Sequence, residues 1–165
     1  MGRKTDAAST PAIAALVTAG VDHGVHPYEH DPSSDLSYGL EAADALGVDA
    51  SAVFKTLCVH ADGALSMAIV PVTGTLDLKA AAKALGAKRA VMAPPAEAER
   101  ATGYVVGGIS PLGGRKRLPT ALDDSALTLE TIYVSGGRRG LDVSLAPADL
   151  VRLTGASTAP LRKDS

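Results

Sequence analysis

The chain has 165 residues, a formal net charge of −2 and 46% hydrophobic residues, so we expect one globular domain over residues 1–165 with a substantial core. Aromatic residues make up only 3% of the chain, which disfavours an aromatic platform for single-stranded nucleic acid, and the charge excludes nucleic-acid binding by bulk attraction. The single cysteine excludes an internal disulfide and a multi-cysteine zinc site, and it suits a reducing cytoplasm. No signal peptide or transmembrane segment is predicted.

Capping residues and apolar spacing predict alternating helices and strands in the first half of the chain. Residues 1–8 are predicted to be a polar lead-in, and Ser9-Thr10-Pro11 supplies a capping hydroxyl and a proline for the first helical turn. The predicted elements are a helix that ends at Gly20, a strand from Val21 to His30, a helix over 39–46, strands over 52–59 and 65–72 around a turn at Ala61-Asp-Gly63, and a helix from Leu76 to Leu85.

The second half is predicted to continue in the same way. Gly136-Gly137 is predicted to be a turn, and the tail after Thr158 is predicted to be frayed. Interleaved helices and strands with short loops predict a single compact domain of the α/β or α+β class with a mixed sheet. The remaining predicted elements are a strand over 88–92, a helix from Pro94 to Ala101, strands over 117–122, 131–135 and 141–145, and a helix over 146–153.

The most informative segment runs from Thr102 to Gly114. It joins a predicted β-type segment to a glycine loop that contains Pro111, and the basic triplet 115–117 follows it. Glycine lets backbone N–H groups turn towards a ligand, and proline stiffens the loop. Such a loop suits an oxyanion or a phosphate, and the triplet suits a polyanion. The segment lacks the Gly-Lys-Ser/Thr ending of a P-loop, and an ordinary tight loop is the alternative.

Two residues of one predicted strand carry reactive groups on opposite faces. Lys55 shares its face with apolar Val53 and Leu57, where a charge is costly to bury, so it is either a functional lysine or an edge-strand lysine that opposes aggregation. We expect Cys58 to be a small core residue rather than a nucleophile, because no basic partner is visible near it. No Ser-His-Asp order or nucleophile elbow is present, so a hydrolase would have no obvious side-chain nucleophile.

Alternation along the first predicted strand places His26, Tyr28 and His30 on one face. Two histidines at this spacing are a weak metal signal without further ligands. We therefore favour a polar rim in which Tyr28 touches a ligand.

A second glycine-basic loop runs from Ser135 to Asp142. Its two arginines suit a phosphate, and Asp142 suits a substrate amine or hydroxyl, although a hairpin with solvated arginines would also explain the segment. Lys79 and Lys83 lie four residues apart on a predicted helix, a spacing that usually marks a solvated face.

Several short segments, taken in chain order, carry a resemblance to a known family: Thr10-Pro-Ala-Ile13, His26-Pro-Tyr-Glu-His-Asp31, Val53-Phe-Lys-Thr-Leu57, Leu76-Asp-Leu-Lys79, Thr102-Gly-Tyr to Ser110-Pro-Leu-Gly113, and Tyr133-Val-Ser-Gly-Gly to Arg139-Gly-Leu-Asp142. Together they resemble the bacterial Cys-tRNA(Pro) deacylases of the YbaK/EbsC group, within the superfamily of editing domains associated with prolyl-tRNA synthetase. The resemblance runs from about residue 10 to residue 153, which is the expected extent of the core.

The resemblance implies a cytoplasmic enzyme that acts in trans on tRNA(Pro) mischarged with cysteine and hydrolyses the aminoacyl ester. It implies a mixed, partly barrel-like sheet with flanking helices, and neither a metal nor an organic cofactor. The implied partners are the 3′ end of mischarged tRNA(Pro) and prolyl-tRNA synthetase in a transient ternary complex, with no membrane. The alternatives are a related enzyme that removes alanine by activating water, and a non-catalytic module that binds tRNA ends or a synthetase.

The resemblance also implies a mechanism in which the thiol of the substrate attacks its own ester. Lys55 would hold the terminal adenosine or the carbonyl, and loop N–H groups would stabilise the oxyanion. The enzyme would be a hydrolase, or a lyase if cyclisation releases the thiol product. Tyr38 stands where relatives carry another aromatic residue. The implied catalytic positions are Lys55, Gly107, Gly108, Ile109, Ser110 and Pro111, and the implied substrate-binding positions are Tyr28, Tyr38, Ser135 and Asp142. The basic side chains that are candidates for RNA contact are Lys79, Arg115, Lys116, Arg138 and Arg139.

Overall fold

The computed structural model describes residues 9–163, so the polar lead-in predicted over residues 1–8 lies outside the described residues. As predicted, Thr10 caps the first helix by accepting a hydrogen bond from Ile13 N–H at 3.1 Å, and Gly20 ends the helix with φ at 68°. No helix in this part of the chain has the length and apolar character needed to cross a bilayer. The α-helices are α1 (Pro11–Ala19), α2 (Tyr38–Leu46), α3 (Leu78–Ala84), α4 (Pro95–Thr102) and α5 (Pro147–Thr154). The strands are β1 (His23–Pro27), β2 (Phe54–Ala61), β3 (Ala64–Pro71), β4 (Thr75–Leu76), β5 (Ala90–Met92), β6 (Thr120–Asp123), β7 (Ile132–Arg138), β8 (Leu141–Leu145), β9 (Ser157–Ala159) and β10 (Arg162–Lys163).

Most of the strands belong to two sheets, a five-stranded mixed sheet and a three-stranded antiparallel sheet. The larger sheet has the order β5-β2-β3-β6-β9; β2 is antiparallel to both neighbours, whereas β6 is parallel to β3 and β9. The smaller sheet has the order β1-β8-β7, and a parallel bridge between Val53 and Tyr133 joins it to the start of β2. The predicted mixed α/β fold is confirmed.

Apolar side chains cover both faces of the five-stranded sheet. On one face, Leu16 of α1, Ile69 of β3 and Leu141 of β8 are fully buried in a cluster that includes residues of both sheets. On the other face, Val70 and Leu161 are fully buried against α3. The large core side chains are mainly aliphatic, as the low aromatic content requires.

The prediction of a turn at Gly136-Gly137 is wrong. β7 continues to Arg138, and the turn falls at Arg139-Gly140. A bulge between Ser135 and Arg138 accommodates the two glycines inside the strand. A Cβ on Gly136 would lie 2.8 Å from Leu141 Cγ, and Gly137 has φ at 111°, so the glycines serve close packing and the bulge rather than the turn.

The prediction of a frayed tail after Thr158 is also wrong for residues 159–163, the part of the tail that the structure describes. The buried carboxylate of Asp123 accepts hydrogen bonds from the N–H groups of Leu161 at 2.7 Å and Arg162 at 2.9 Å. Leu161 is fully buried, β9 extends the large sheet beside β6, and β10 pairs with β4. A contact across 38 residues of sequence fixes the tail, and no local pattern reports such a contact.

Residues 103–119 contain no strand, so the β-type segment predicted before the glycine loop is wrong, and the strand predicted over 117–122 begins later. Pro119 has no N–H to donate to a sheet, and β6 starts at Thr120. The hydroxyl of buried Tyr104 donates a hydrogen bond to Leu112 O at 2.7 Å. Side-chain bonds of this kind, rather than a strand ladder, hold the segment in place.

Candidate functional site

A cavity of about 300 Å³ lies beside the first half of β2. β3 pairs with all 8 residues of β2, whereas β5 pairs only with Val59–Ala61. The other edge of residues 54–58 therefore has no strand partner in the described part of the chain. Because the cavity lies at this edge, side chains from both faces of β2 line it. Its volume is at the lower end of the range for small-molecule sites.

Lys55 lies on this unpaired edge, opposite Val70 of β3. Its side chain is half-buried and lines the cavity, and burial lowers its pKa. No ion pair in residues 9–163 involves its ammonium group. The strand edge that the alternative of an aggregation-opposing lysine requires is present, but this edge forms the wall of a cavity.

Asp142 and Ser135 face each other in the ladder between β7 and β8, and both line the cavity. Asp142 is 5% exposed, and burial raises the pKa of its carboxyl group to about 7. Tyr28 lines the same cavity; burial first, and then the neighbouring charge of Asp142, raise the pKa of its phenol to about 12. The site thus combines a neutral phenol with a carboxyl group that changes charge near neutral pH.

Tyr38 and Arg139 meet beside the glycine loop. The guanidinium carbon of Arg139 lies 4.9 Å from the centroid of the Tyr38 ring, and its Nε donates a hydrogen bond to Val106 O at 2.9 Å. Gly107 has φ at 91°, and a Cβ there would lie 2.8 Å from the Tyr38 ring and 2.9 Å from Arg139 Nε. Only glycine lets the loop approach this pair so closely.

The glycine loop meets the cavity over only part of its predicted catalytic length. Gly107 and Ile109 line the cavity, and no group in residues 9–163 accepts a hydrogen bond from their N–H groups. The N–H of Gly108 donates to Val105 O at 2.8 Å and is therefore occupied. Ser110 and Pro111 are buried and line a second cavity of about 230 Å³. The loop thus brings two of its five predicted positions to the cavity that Lys55 lines.

Comparison with known proteins identifies the family and the fold. Residues 37–153 match the family of aminoacyl-tRNA editing domains. The chain belongs to this family. The editing domain is 37% identical over 136 residues to the "Putative Cys-tRNA(Pro)/Cys-tRNA(Cys) deacylase EbsC" of Enterococcus faecalis, a match that covers 81% of this chain and 82% of the relative.

Two further relatives link the editing domain to prolyl-tRNA synthetase. It is 37% identical over 100 residues to a proline–tRNA ligase of Shouchella clausii, which covers 61% of this chain and 18% of the ligase. It also aligns, with a TM-score of 0.78 and 28% identity, with a crystal structure described as "a putative trans-editing enzyme for prolyl tRNA synthetase". That alignment covers 94% of this chain and 98% of the other.

The basic side chains predicted to contact RNA are all exposed, but they do not form one cluster at the cavity. Arg139 lies beside the loop residue Gly107, and the backbone of Arg138 packs against Gly108. Lys116 lines the second cavity, whereas the side chain of Arg115 lies against Gly103. The fifth candidate, Lys79, is on α3 and does not line the cavity of the editing domain.

The strand predicted from Val21 to His30 is shorter in the structure, since β1 spans only His23–Pro27, and Tyr28 and His30 follow it rather than share a strand face with His26. His26 Nε2 lies 2.8 Å from Ser144 Oγ, and His30 Nδ1 lies 2.8 Å from Glu41 Oε1. Between residues 9 and 163, no three His, Cys, Asp or Glu side chains are grouped so that they could hold a metal ion. Of His26, Tyr28 and His30, Tyr28 is the one that lines the cavity.

Sequence reasoning missed two residues that shape the site. Glu41 is 7% exposed; its carboxylate accepts a hydrogen bond from Asp31 N–H at 2.7 Å and contacts His30, so it anchors the segment that joins Tyr28 to Tyr38. Thr56 is among the residues that line the cavity, and its hydroxyl group is buried without a hydrogen-bond partner. The acidic first turn of α2 was a possible signal for Glu41, because a carboxylate there suits the helix N-terminus.

Proposed function

We propose that this editing domain hydrolyses Cys-tRNA(Pro) in trans and so removes cysteine that prolyl-tRNA synthetase attaches in error. The observation that carries the proposal is one cavity lined by a half-buried ammonium group, Lys55, and a buried carboxyl group, Asp142, with no ion pair between them. An aminoacyl ester carries matching groups, since its α-ammonium suits Asp142 and its carbonyl or terminal adenosine suits Lys55. The name of the Enterococcus faecalis relative includes Cys-tRNA(Pro), which supports this substrate, and the name of the solved structure supports editing in trans.

The side chains of the cavity do not include an activated nucleophile. No histidine is among the residues that line it. Burial, with a smaller contribution from Glu97, raises the pKa of the Cys58 thiol to about 11, so this thiol stays protonated at neutral pH. Ser135 Oγ accepts a hydrogen bond from Gly137 N–H at 3.2 Å and has no histidine to activate it. The nucleophile in our proposal therefore comes with the substrate.

In the proposed reaction, the sulfur of the cysteinyl group bonds to its own ester carbonyl carbon. The bond from that carbon to the ribose oxygen breaks, and the ribose oxygen takes a proton. Water then opens the cysteine thiolactone. Lys55 and the N–H groups of Gly107 and Ile109 stabilise the oxyanion, and Tyr28, Tyr38 and Ser135 orient the substrate. Alanine has no thiol, so selectivity follows from the chemistry rather than from size.

Recognition of tRNA is shared with the synthetase in this proposal. The net charge of −2 gives weak general attraction to RNA, and the exposed arginines 138 and 139 offer a local contact beside the cavity. Prolyl-tRNA synthetase would supply tRNA identity in a transient ternary complex in the cytoplasm. Activity on Cys-tRNA(Pro) should then rise when the synthetase is added, whereas strong tRNA-specific activity without it would contradict this part.

The test of the proposal compares Cys-tRNA(Pro) with S-methylcysteinyl-tRNA(Pro), which keeps the ester and blocks the thiol with one added methyl group. We expect cleavage of the first at least about 100-fold faster than of the second, because the nucleophile has been removed. Equal rates would show that water is the nucleophile and would favour the alanine-removing alternative. Failure to cleave either ester, with prolyl-tRNA synthetase present, would favour a binding module.

A further inference from the structure

The unpaired edge of β2 carries a polar group that the reaction described above does not use. Thr56 lines the cavity, and its Oγ1 is the only buried side-chain oxygen or nitrogen in residues 9–163 without a hydrogen-bond partner. A buried hydroxyl group without a partner weakens a fold, so its presence calls for a physical reason. Rotation about the Cα–Cβ bond of Thr56 would bring the hydroxyl group to the cavity surface, where a ligand would provide the missing partner.

The main-chain N–H and C=O groups of Thr56 also face the cavity side of β2. Cys58 O accepts a hydrogen bond from Ala93 N–H at 3.0 Å on the β5 side, and Val53 O accepts one from Val72 N–H at 2.9 Å on the β3 side. Alternate residues of a strand direct their N–H and C=O groups to opposite edges. Thr56 therefore directs both groups away from β3, into the gap between the Val53 bridge and the β5 ladder.

We propose that Thr56 binds the α-aminoacyl group of the substrate as a strand residue binds the residue facing it. Its N–H donates to the ester carbonyl oxygen, its C=O accepts from the α-ammonium, and its hydroxyl group forms a third hydrogen bond to the aminoacyl group. Two facing strand residues exchange both bonds in this manner, and an α-aminoacyl ester presents a donor and an acceptor in the same order. The ammonium has three donors, so Asp142 can accept another. This inference rests on the proposed function and assigns recognition of the α-amino acid backbone to β2.

The direct test is amide hydrogen exchange by NMR with 3′-cysteinylamino-3′-deoxyadenosine, in which an amide replaces the cleavable ester. We expect exchange of the Thr56 amide to slow at least about tenfold on binding. The amides of Lys55 and Leu57 point towards β3 and serve as internal controls whose exchange stays the same. Slowed exchange at Gly107 or Ile109 with no change at Thr56 would overturn the inference.

A pair of variants separates a binding role of the hydroxyl group from a structural one. Thr56→Val removes the unpaired hydroxyl, so we expect an equal or higher Tm together with roughly fivefold weaker binding of the same analogue. Thr56→Ser keeps a hydroxyl and should bind as the wild type does. Equal binding by all three proteins would contradict the inference. If the wild type hydrolyses Cys-tRNA(Pro) but the Thr56 variants bind the analogue as tightly as the wild type does, only this inference fails. If the wild type neither hydrolyses Cys-tRNA(Pro) nor binds the analogue, the proposed function fails as well.

Discussion

Lys55 and Asp142 respond to burial in opposite directions, since burial lowers the pKa of the ammonium group and raises that of the carboxyl group. In both cases the charged form is the one that burial disfavours. A pair of such groups in one cavity is typical of a site that exchanges water for a charged ligand. We therefore expect substitution of Lys55 to change activity and substitution of Asp142 to change the pH dependence of stability.

Replacing Lys55 by alanine should reduce the rate of Cys-tRNA(Pro) cleavage at least about 100-fold, because one positive group at the reacting ester is lost. The Tm should stay equal or rise, since no ion pair of the described chain is broken. Lys83→Ala, on the exposed face of α3, is the matched control and should keep full activity. If the Lys55→Ala protein folds and cleaves Cys-tRNA(Pro) at the wild-type rate, Lys55 has no role in catalysis.

The carboxyl group of Asp142 should make stability depend on pH. Its pKa rises from 3.8 to about 7 on folding, so the folded chain binds the proton more tightly than the unfolded chain does. Stability is therefore lost as the pH rises from about 4 through 7. Asp142→Asn should be more stable than the wild type by up to about 4 kcal/mol at pH 8, and by nearly nothing at pH 4. Urea unfolding at both pH values measures this, and a difference that does not change with pH would contradict it.

At the scale of elements, the glycine loop packs closely against Tyr38 and Arg139. Gly107→Ala should lower the cleavage rate roughly 10- to 100-fold, because the new Cβ would displace Tyr38 and Arg139. Gly63→Ala is a matched control: Gly63 has φ at 83°, yet nothing lies within 4 Å of its added Cβ. Each variant should lose about 1–2 kcal/mol of stability from the left-handed backbone, but only Gly107→Ala should lose activity. Equal activities would contradict the fit of the loop.

The C-terminal strands depend on one carboxylate. Asp123→Asn should reduce the free energy of unfolding by about 1–3 kcal/mol, because Asn accepts the N–H groups of Leu161 and Arg162 less strongly than a carboxylate does. Asp124→Asn, on an exposed neighbour, should change it by less than about 0.5 kcal/mol. Faster amide exchange over residues 157–163 in Asp123→Asn alone would place the loss of stability in the C-terminal strands. Equal exchange in both variants would contradict the role of Asp123 there.

For the molecule as a whole, local chemistry predicted most of the elements. The capping residue Thr10 and helix-ending glycines such as Gly20 act within a few residues, so their effects can be read from sequence. The errors lie where distant contacts decide. The bulge in β7 depends on packing against Leu141, and the ordered tail depends on Asp123.

The site was predictable in its residues more than in its shape. Lys55, Asp142, Ser135 and Tyr28 line one cavity, and residue type together with the family resemblance singled them out. The sequence did not show that the cavity lies at an unpaired strand edge, because the length of β5 determines where that edge begins. For the same reason Thr56 could not be distinguished from an ordinary strand threonine.

Single-turnover hydrolysis of Cys-tRNA(Pro) beside Ala-tRNA(Pro) by the wild-type protein, with and without prolyl-tRNA synthetase, would decide whether the substrate thiol is the nucleophile. We expect rapid loss of cysteine alone, because only that ester carries a thiol. Rapid loss of alanine, or no loss from either ester with the synthetase present, would contradict it.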